Sequence, residues 1–150
     1  MSILYPKKTE KDLYLRLVKQ CENYMIKFED DLNIKEYDLI IDSIFGFSFK
    51  GEIRFPFDKI INSLNELKKE EKLIKIASVD IPSGWDVEKG NINNTFTPDL
   101  LISLTLPKLG VEKYSGIHYL GGRFVPGKLY NKLGLQQPKY QGSNLILKLH

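Results

Sequence analysis

The sequence predicts an α/β fold: a single domain over residues 1–150 with a mostly parallel sheet and helices on both of its faces. Three apolar runs carry the prediction: Tyr37–Asp42, Leu73–Asp80 and Asp99–Thr105, each closed by a turn-forming or proline-bearing stretch. Segments long enough for helices separate the runs. No repeat, low-complexity tract or linker divides the chain.

The elements follow in order. Ser2 to Tyr5 is a short β-prone piece that Pro6 ends. Thr9 with Asp12 has the form of a capping box, after which Leu13, Leu17, Val18 and Cys21 recur at helical spacing, with Cys21 expected to pack on the apolar side. Tyr24 to Phe28 suits a short strand. The nearly continuous apolar centre of Tyr37–Asp42 predicts a strand covered on both faces. Pro56 stands where a helix can begin, and Ile60, Ile61, Leu64 and Leu67 form one stripe behind it. The next strand stops at Ile81-Pro82-Ser83-Gly84, and the polar stretch 90–98 is a surface loop. Later come His118-Tyr119-Leu120, a helix near Lys128 to Leu133 and a last strand around Leu145 to Leu149.

Composition narrows the function. With 42% hydrophobic and 27% charged residues the chain reads as an ordinary globular domain. Its net charge of +3 is mild, and the lysines are scattered, which argues against a nucleic-acid surface. The charged run Glu66, Lys68, Lys69, Glu70, Glu71, Lys72 reads as a solvated helix end. One cysteine permits no intrachain disulfide and suits a reducing compartment. No transmembrane stretch, signal core or transit pattern is present, so a cytoplasmic home is the default.

In open α/β sheets, ligands bind beyond the carboxyl ends of the strands. Two of the three best strands end there in an aspartate, Asp42 and Asp80. A carboxylate against a buried strand needs a partner. For either aspartate alone, capping the following turn is an equally good account. Two of them, each followed by a glycine-bearing loop, favour a shared site. Gly46 to Glu52 is such a loop, whose amides could cradle an anion, with Lys50 adding positive charge. Lys50 precedes Gly51 instead of following it, so the loop is not a Walker A motif. Ser83 lacks the glycines of a nucleophile elbow, since Ile81 and Trp85 occupy those positions. Two histidines and one cysteine are too few for a transition-metal centre, whereas Asp42, Ser83 and backbone carbonyls are hard ligands for an alkali cation.

Two long motifs carry a family resemblance. Asp42-Ser43-Ile44-Phe45-Gly46-Phe47-Ser48-Phe49-Lys50-Gly51-Glu52-Ile53-Arg54 and Val79-Asp80-Ile81-Pro82-Ser83-Gly84-Trp85-Asp86-Val87-Glu88-Lys89-Gly90 resemble the central loop and the most specific motif of the NAD(P)H-hydrate epimerases, the YjeF amino-terminal domain family. Pro98–Thr105, Pro107-Lys108 and Tyr119–Pro126 support the resemblance, and the branch containing apolipoprotein A-I-binding protein is the nearest in pattern. The resemblance implies a Rossmann-like three-layer sandwich, often dimeric. It implies an isomerase that interconverts the R and S forms of hydrated NADH and NADPH (NADHX and NADPHX) for a partner dehydratase; composition, for its part, points to no nucleic-acid or membrane partner.

Residue by residue, the resemblance makes Asp42 and Ser83 ligands of a potassium ion. Gly46, Phe47, Ser48, Phe49, Lys50, Gly51 and Glu52 become the substrate loop, and Asp80 a substrate-contacting carboxylate. For the chemistry, Asp80 is the expected proton shuttle and Lys50 an acid or orienting group. The family's earlier Asn-Asn-Gly-Gly-Asp loop has no counterpart, and the chain opens near the family's second strand. The sheet is therefore expected to be incomplete at the amino-terminal side and the isolated chain unstable or inactive, with mitochondrial residence open if a leader precedes it. The alternative in a different class is a non-catalytic binding or scaffold module.

Overall fold

A computed structural model describes residues 1–31, 33–70 and 73–150. Glu71 and Lys72, the end of the charged run, lie outside the described residues. The element order is β1 (Ser2–Leu4), α1 (Asp12–Asn23), β2 (Lys27–Glu29), β3 (Leu39–Asp42), α2 (Phe57–Lys69), β4 (Lys75–Val79), β5 (Leu100–Leu104), β6 (Ile117–Gly121), α3 (Gly127–Lys132) and β7 (Ile146–Lys148). The strands form two sheets: parallel β1-β2, and β3-β4-β5-β6-β7, which is parallel through β6 and closed by antiparallel β7. This is the Rossmann-like α/β class expected from the sequence. Among the described residues no helix is long and apolar enough to cross a membrane.

The core lies on one side of the five-stranded sheet. Ile61, Leu64 and Leu67 of α2 pack with Ile76 and Phe96, and Ile40, Ile44 and Ile53 join them. A second cluster gathers Ile81, Trp85, Leu101, Val111 and Tyr114. At the end of α2, Lys69 pairs with Glu66 in solvent, but Lys68 turns onto the half-buried Asp99, 3.0 Å away.

Three expectations need correction. The strand β3 is not covered on both faces: Leu39 and Ile41 are 53% and 60% exposed while Asp42 is buried. An apolar run registers the need for cover, and only Ile40 and Asp42 face the α2 side. The capping box does not form. Thr9 Oγ instead accepts from the Lys11 amide at 3.5 Å, and α1 begins after Lys11 with no side-chain cap. No residue of α1 is buried; Leu13, Leu15 and Leu17 face solvent and Cys21 is half-buried.

Beyond the second cluster, buried His118 sets its Nε2 2.8 Å from Ser103 Oγ, with the His150 ring 5.1 Å away and Tyr114 edge-on. Burial, then the neighbouring His150, pushes its imidazole below the ordinary 6.5. The unfolded chain thus takes up a proton near 6.5 that the fold resists, so this contribution to stability is present above 6.5 and lost as pH falls below it. Burial, with the Asp99 charge, raises the Tyr114 phenol from 10.0 to about 12, so its contribution is lost as pH rises through that window. Urea midpoints are therefore expected to decline on both sides of a plateau between 6.5 and 10.0. A His118→Leu variant should flatten the acid decline, and an unchanged acid decline would contradict the assignment.

Candidate functional site

Parallel pairing sets Asp42 of β3 beside Ser78 of β4, so the carboxyl ends of these strands meet at one end of the sheet. The motif after β4 folds back over that end. Ser83 accepts the Phe45 amide on its Oγ at 3.0 Å and donates its own hydroxyl to Asp42 Oδ1 at 2.5 Å. Asp42 Oδ2 takes the Ser83 amide at 2.9 Å and the Ser78 hydroxyl at 2.8 Å. Asp42 and Ser83 are 2% and 0% exposed. The carboxylate also reaches the Ile44 amide at 3.4 Å, so turn capping and site building coincide in this residue.

Asp80 stands at the tip of β4 with φ of 74°, a left-handed conformation uncommon outside glycine and asparagine-like residues. Its amide donates to Ile102 O at 2.8 Å, which ties it to β5. Its Oδ2 accepts the Phe47 amide at 2.9 Å. Its Oδ1 is bonded by the ammonium of Lys108, which also donates to Leu104 O at 3.0 Å. The ion pair is largely enclosed, with side-chain exposures of 16% for Lys108 and 14% for Asp80.

The glycine loop is thus drawn against Asp80. A Cβ at Gly46 would meet Asp80 Oδ2 at 3.0 Å, which is why glycine stands there. Phe49 closes the turn onto Gly46 O at 3.0 Å, and Phe45 stacks on Phe49 with ring centres 4.4 Å apart while meeting Phe57 of α2 edge-on. Phe47, Ser48 and Lys50 of the loop face solvent. Glu52 lines a cavity of about 240 Å³ with Asp58, Asn62 and Asn65.

The structure therefore gathers Asp42, Ser83, Asp80 and Gly46–Phe47 at one sheet end. Lys50 is exposed, and the charge it influences is Asp86. The amides of Lys89 and Glu88 are the main causes that hold the Asp86 carboxyl below its ordinary value, and the charges of Lys89 and Lys50 add to them. The ammonium on Asp80 belongs to Lys108, which sequence reasoning did not single out as a site residue. The signal existed: Lys108 follows the tip of β5, the third strand end on this side of the sheet.

The donor set around Asp42 suits a hard cation in kind, with one carboxylate and one hydroxyl in contact. Among the described residues no cluster of three or more histidine, cysteine, aspartate or glutamate side chains could hold a metal ion.

Residues 3–110, which include every site residue named above, match the family model described as YjeF-related protein N-terminus. The chain is 55% identical to a Dictyostelium discoideum protein named NAD(P)H-hydrate epimerase, over 99% of this chain and 64% of that one. It is 52% identical to a Paramecium tetraurelia protein of the same name, over 89% of this chain and 56% of that one. A yeast protein of known crystal structure superimposes with a TM-score of 0.86 and 38% identity, over 99% of this chain and 65% of that one. The chain thus spans less than two thirds of the length of each of these relatives.

Proposed function

We propose that this chain, which belongs to the YjeF-related N-terminal family, interconverts the R and S forms of NADHX and NADPHX. The observation that carries the reading is the convergence of two enclosed carboxylates, Asp42 and Asp80, at one end of the sheet beside a glycine loop. Enclosing carboxylates costs desolvation that a scaffold has no reason to bear. That cost favours an enzyme over a non-catalytic binding module.

The reacting carbon of the hydrated nicotinamide bears a hydroxyl beside the ring nitrogen. Protonation of that hydroxyl lets the C–O bond break while the nitrogen lone pair forms a C=N bond, giving an iminium cation and water. Water then adds to either face and loses a proton. Asp80 is the group we assign to the cation and to the proton, held in place by the Phe47 amide. Glycine at position 46 lets the loop backbone lie directly against that carboxylate. Phe47, Ser48, Phe49, Lys50, Gly51 and Glu52 are assigned to substrate contact, Lys50 toward the phosphates. Asp42 and Ser83 are assigned to a potassium ion, which when bound would supply positive charge where the two motifs meet.

A partner dehydratase and a homodimer belong to the same proposal. Cys21 is a free thiol, which suits a reducing compartment such as the cytosol or the mitochondrial matrix.

The isolated 150-residue chain is expected to turn over at least ~10²-fold more slowly than a fusion carrying the part of the Dictyostelium relative that lies outside the matched region. The physical ground is the uncovered sheet face at Leu39 and Ile41, the exposed stripe of α1 and the separation of β1-β2 from the main sheet. Chromatographic assay of R-to-S conversion in potassium buffer tests both statements. Conversion by the fusion alone supports both, equal conversion by the bare chain removes the second, and none by either removes the first.

A further inference from the structure

We propose that Lys108 is a positioning residue that aims the Asp80 carboxylate, and this rests on the role given to Asp80 above. Both carboxylate oxygens are committed. Oδ2 accepts the Phe47 amide at 2.9 Å and Oδ1 accepts the Lys108 ammonium, so the carboxylate can neither swing about its Cα–Cβ bond nor turn its plane without losing a charge-assisted bond. Lys108 is itself anchored, because its Nζ also donates to Leu104 O at 3.0 Å, at the very tip of β5. The ammonium therefore ties the ends of two neighbouring strands together through the side chain that the chemistry uses.

Stability alone gives little reason for this pair. An enclosed ion pair of 16% and 14% exposure gains little over an apolar pair of the same size once both charges are desolvated. What the pair adds is a fixed direction. Asp80 sits at φ 74° just past the end of β4, where its two oxygens meet the Phe47 amide and the Lys108 ammonium. Such a carboxylate needs two restraints to hold one rotamer. The Phe47 amide lies on an exposed loop and supplies one; Lys108, 28 residues further along the chain, supplies the other.

The test separates this inference from the functional reading. In the chain itself, exchange of the Phe47 amide hydrogen reports the bond to Asp80 without any substrate. Lys108→Met is expected to speed that exchange about 10-fold while the Ser83 amide, bonded to Asp42, keeps its rate. Lys108→Arg should retain the slow rate, because guanidinium restores the charge and the donor. If Lys108→Met does not fold, Lys108→Gln, with a neutral donor, should show the same loss.

In the fusion, Lys108→Met is expected to lower kcat by about 10²-fold with KM changed less than about 3-fold, and Lys108→Arg to recover most of kcat. A purely structural lysine would instead lower the melting temperature and leave kcat of the folded fraction intact. Unchanged Phe47 exchange in a folded Lys108→Met or Lys108→Gln protein overturns the inference, whatever the activity. The expected exchange pattern without any epimerisation by the unaltered fusion supports the positioning and removes the functional reading instead.

Discussion

Asp80→Asn is expected to slow epimerisation in the fusion by ~10²–10⁴-fold, the usual worth of a placed acid–base group, with little change in substrate KM. The substitution is close to isosteric. Asparagine tolerates the left-handed φ of 74° at this position and keeps an oxygen for the Phe47 amide at 2.9 Å. On the proposed mechanism it removes the negative charge set against the iminium cation and the base for the incoming water. It also leaves the enclosed Lys108 ammonium without its counter-charge, so a modest fall in melting temperature should accompany the loss. Rates within about 3-fold of the unaltered protein, in a sample whose circular dichroism is unchanged, would remove Asp80 from the chemistry.

Asp42→Ala has the largest expected effect on stability, roughly 3–5 kcal/mol. The carboxylate is 2% exposed and receives the Ser78 hydroxyl, the Ser83 amide and the Ser83 hydroxyl at 2.5 to 2.9 Å. Alanine leaves those donors buried without an acceptor, and each such orphan costs about 1–3 kcal/mol. Against a total stability of about 5–15 kcal/mol the loss is a large fraction, read as a lowered urea midpoint at unchanged slope.

The same residue is the one proposed to hold potassium. If potassium binds there, the unaltered protein should gain stability when potassium replaces a bulky organic cation at equal ionic strength. Asp42→Asn, which keeps an acceptor but no charge, should lose that gain. A midpoint insensitive to both changes would separate Asp42 from any cation.

Much of this arrangement was legible in the chain itself. Apolar runs ending in Asp42 and Asp80 gave strands whose tips the parallel register then brought together, because β3 and β4 pair in phase at Asp42 and Ser78. Glycine at position 46 signalled a close approach, and the approaching atom is Asp80 Oδ2. Lys108 escaped notice because its bond spans 28 residues and depends on how far the stretch after β5 curls back, which no local pattern encodes. Lys50 drew attention for the opposite reason: its place in a glycine loop was visible, but the direction of an exposed lysine is not.

The burial of β3 was misjudged on similar grounds. Leu39 and Ile41 record that the outer face calls for a covering element, and a run of apolar residues cannot say whether this stretch of chain supplies one. Thr9 and Asp12 met the spacing of a capping box, yet a two-residue turn at Thr9 competed successfully for the hydroxyl.

The most direct test of the account is conversion of R-NADHX by the fusion in ¹⁸O-labelled water, followed by mass spectrometry of the separated epimers. Loss of the hydroxyl and return of solvent at the Asp80 tip predicts one labelled oxygen in every newly formed S molecule, at a rate well above the uncatalysed background and abolished by Asp80→Asn. Conversion that keeps the original oxygen, or labelling that proceeds equally well without the Asp80 carboxylate, would contradict it.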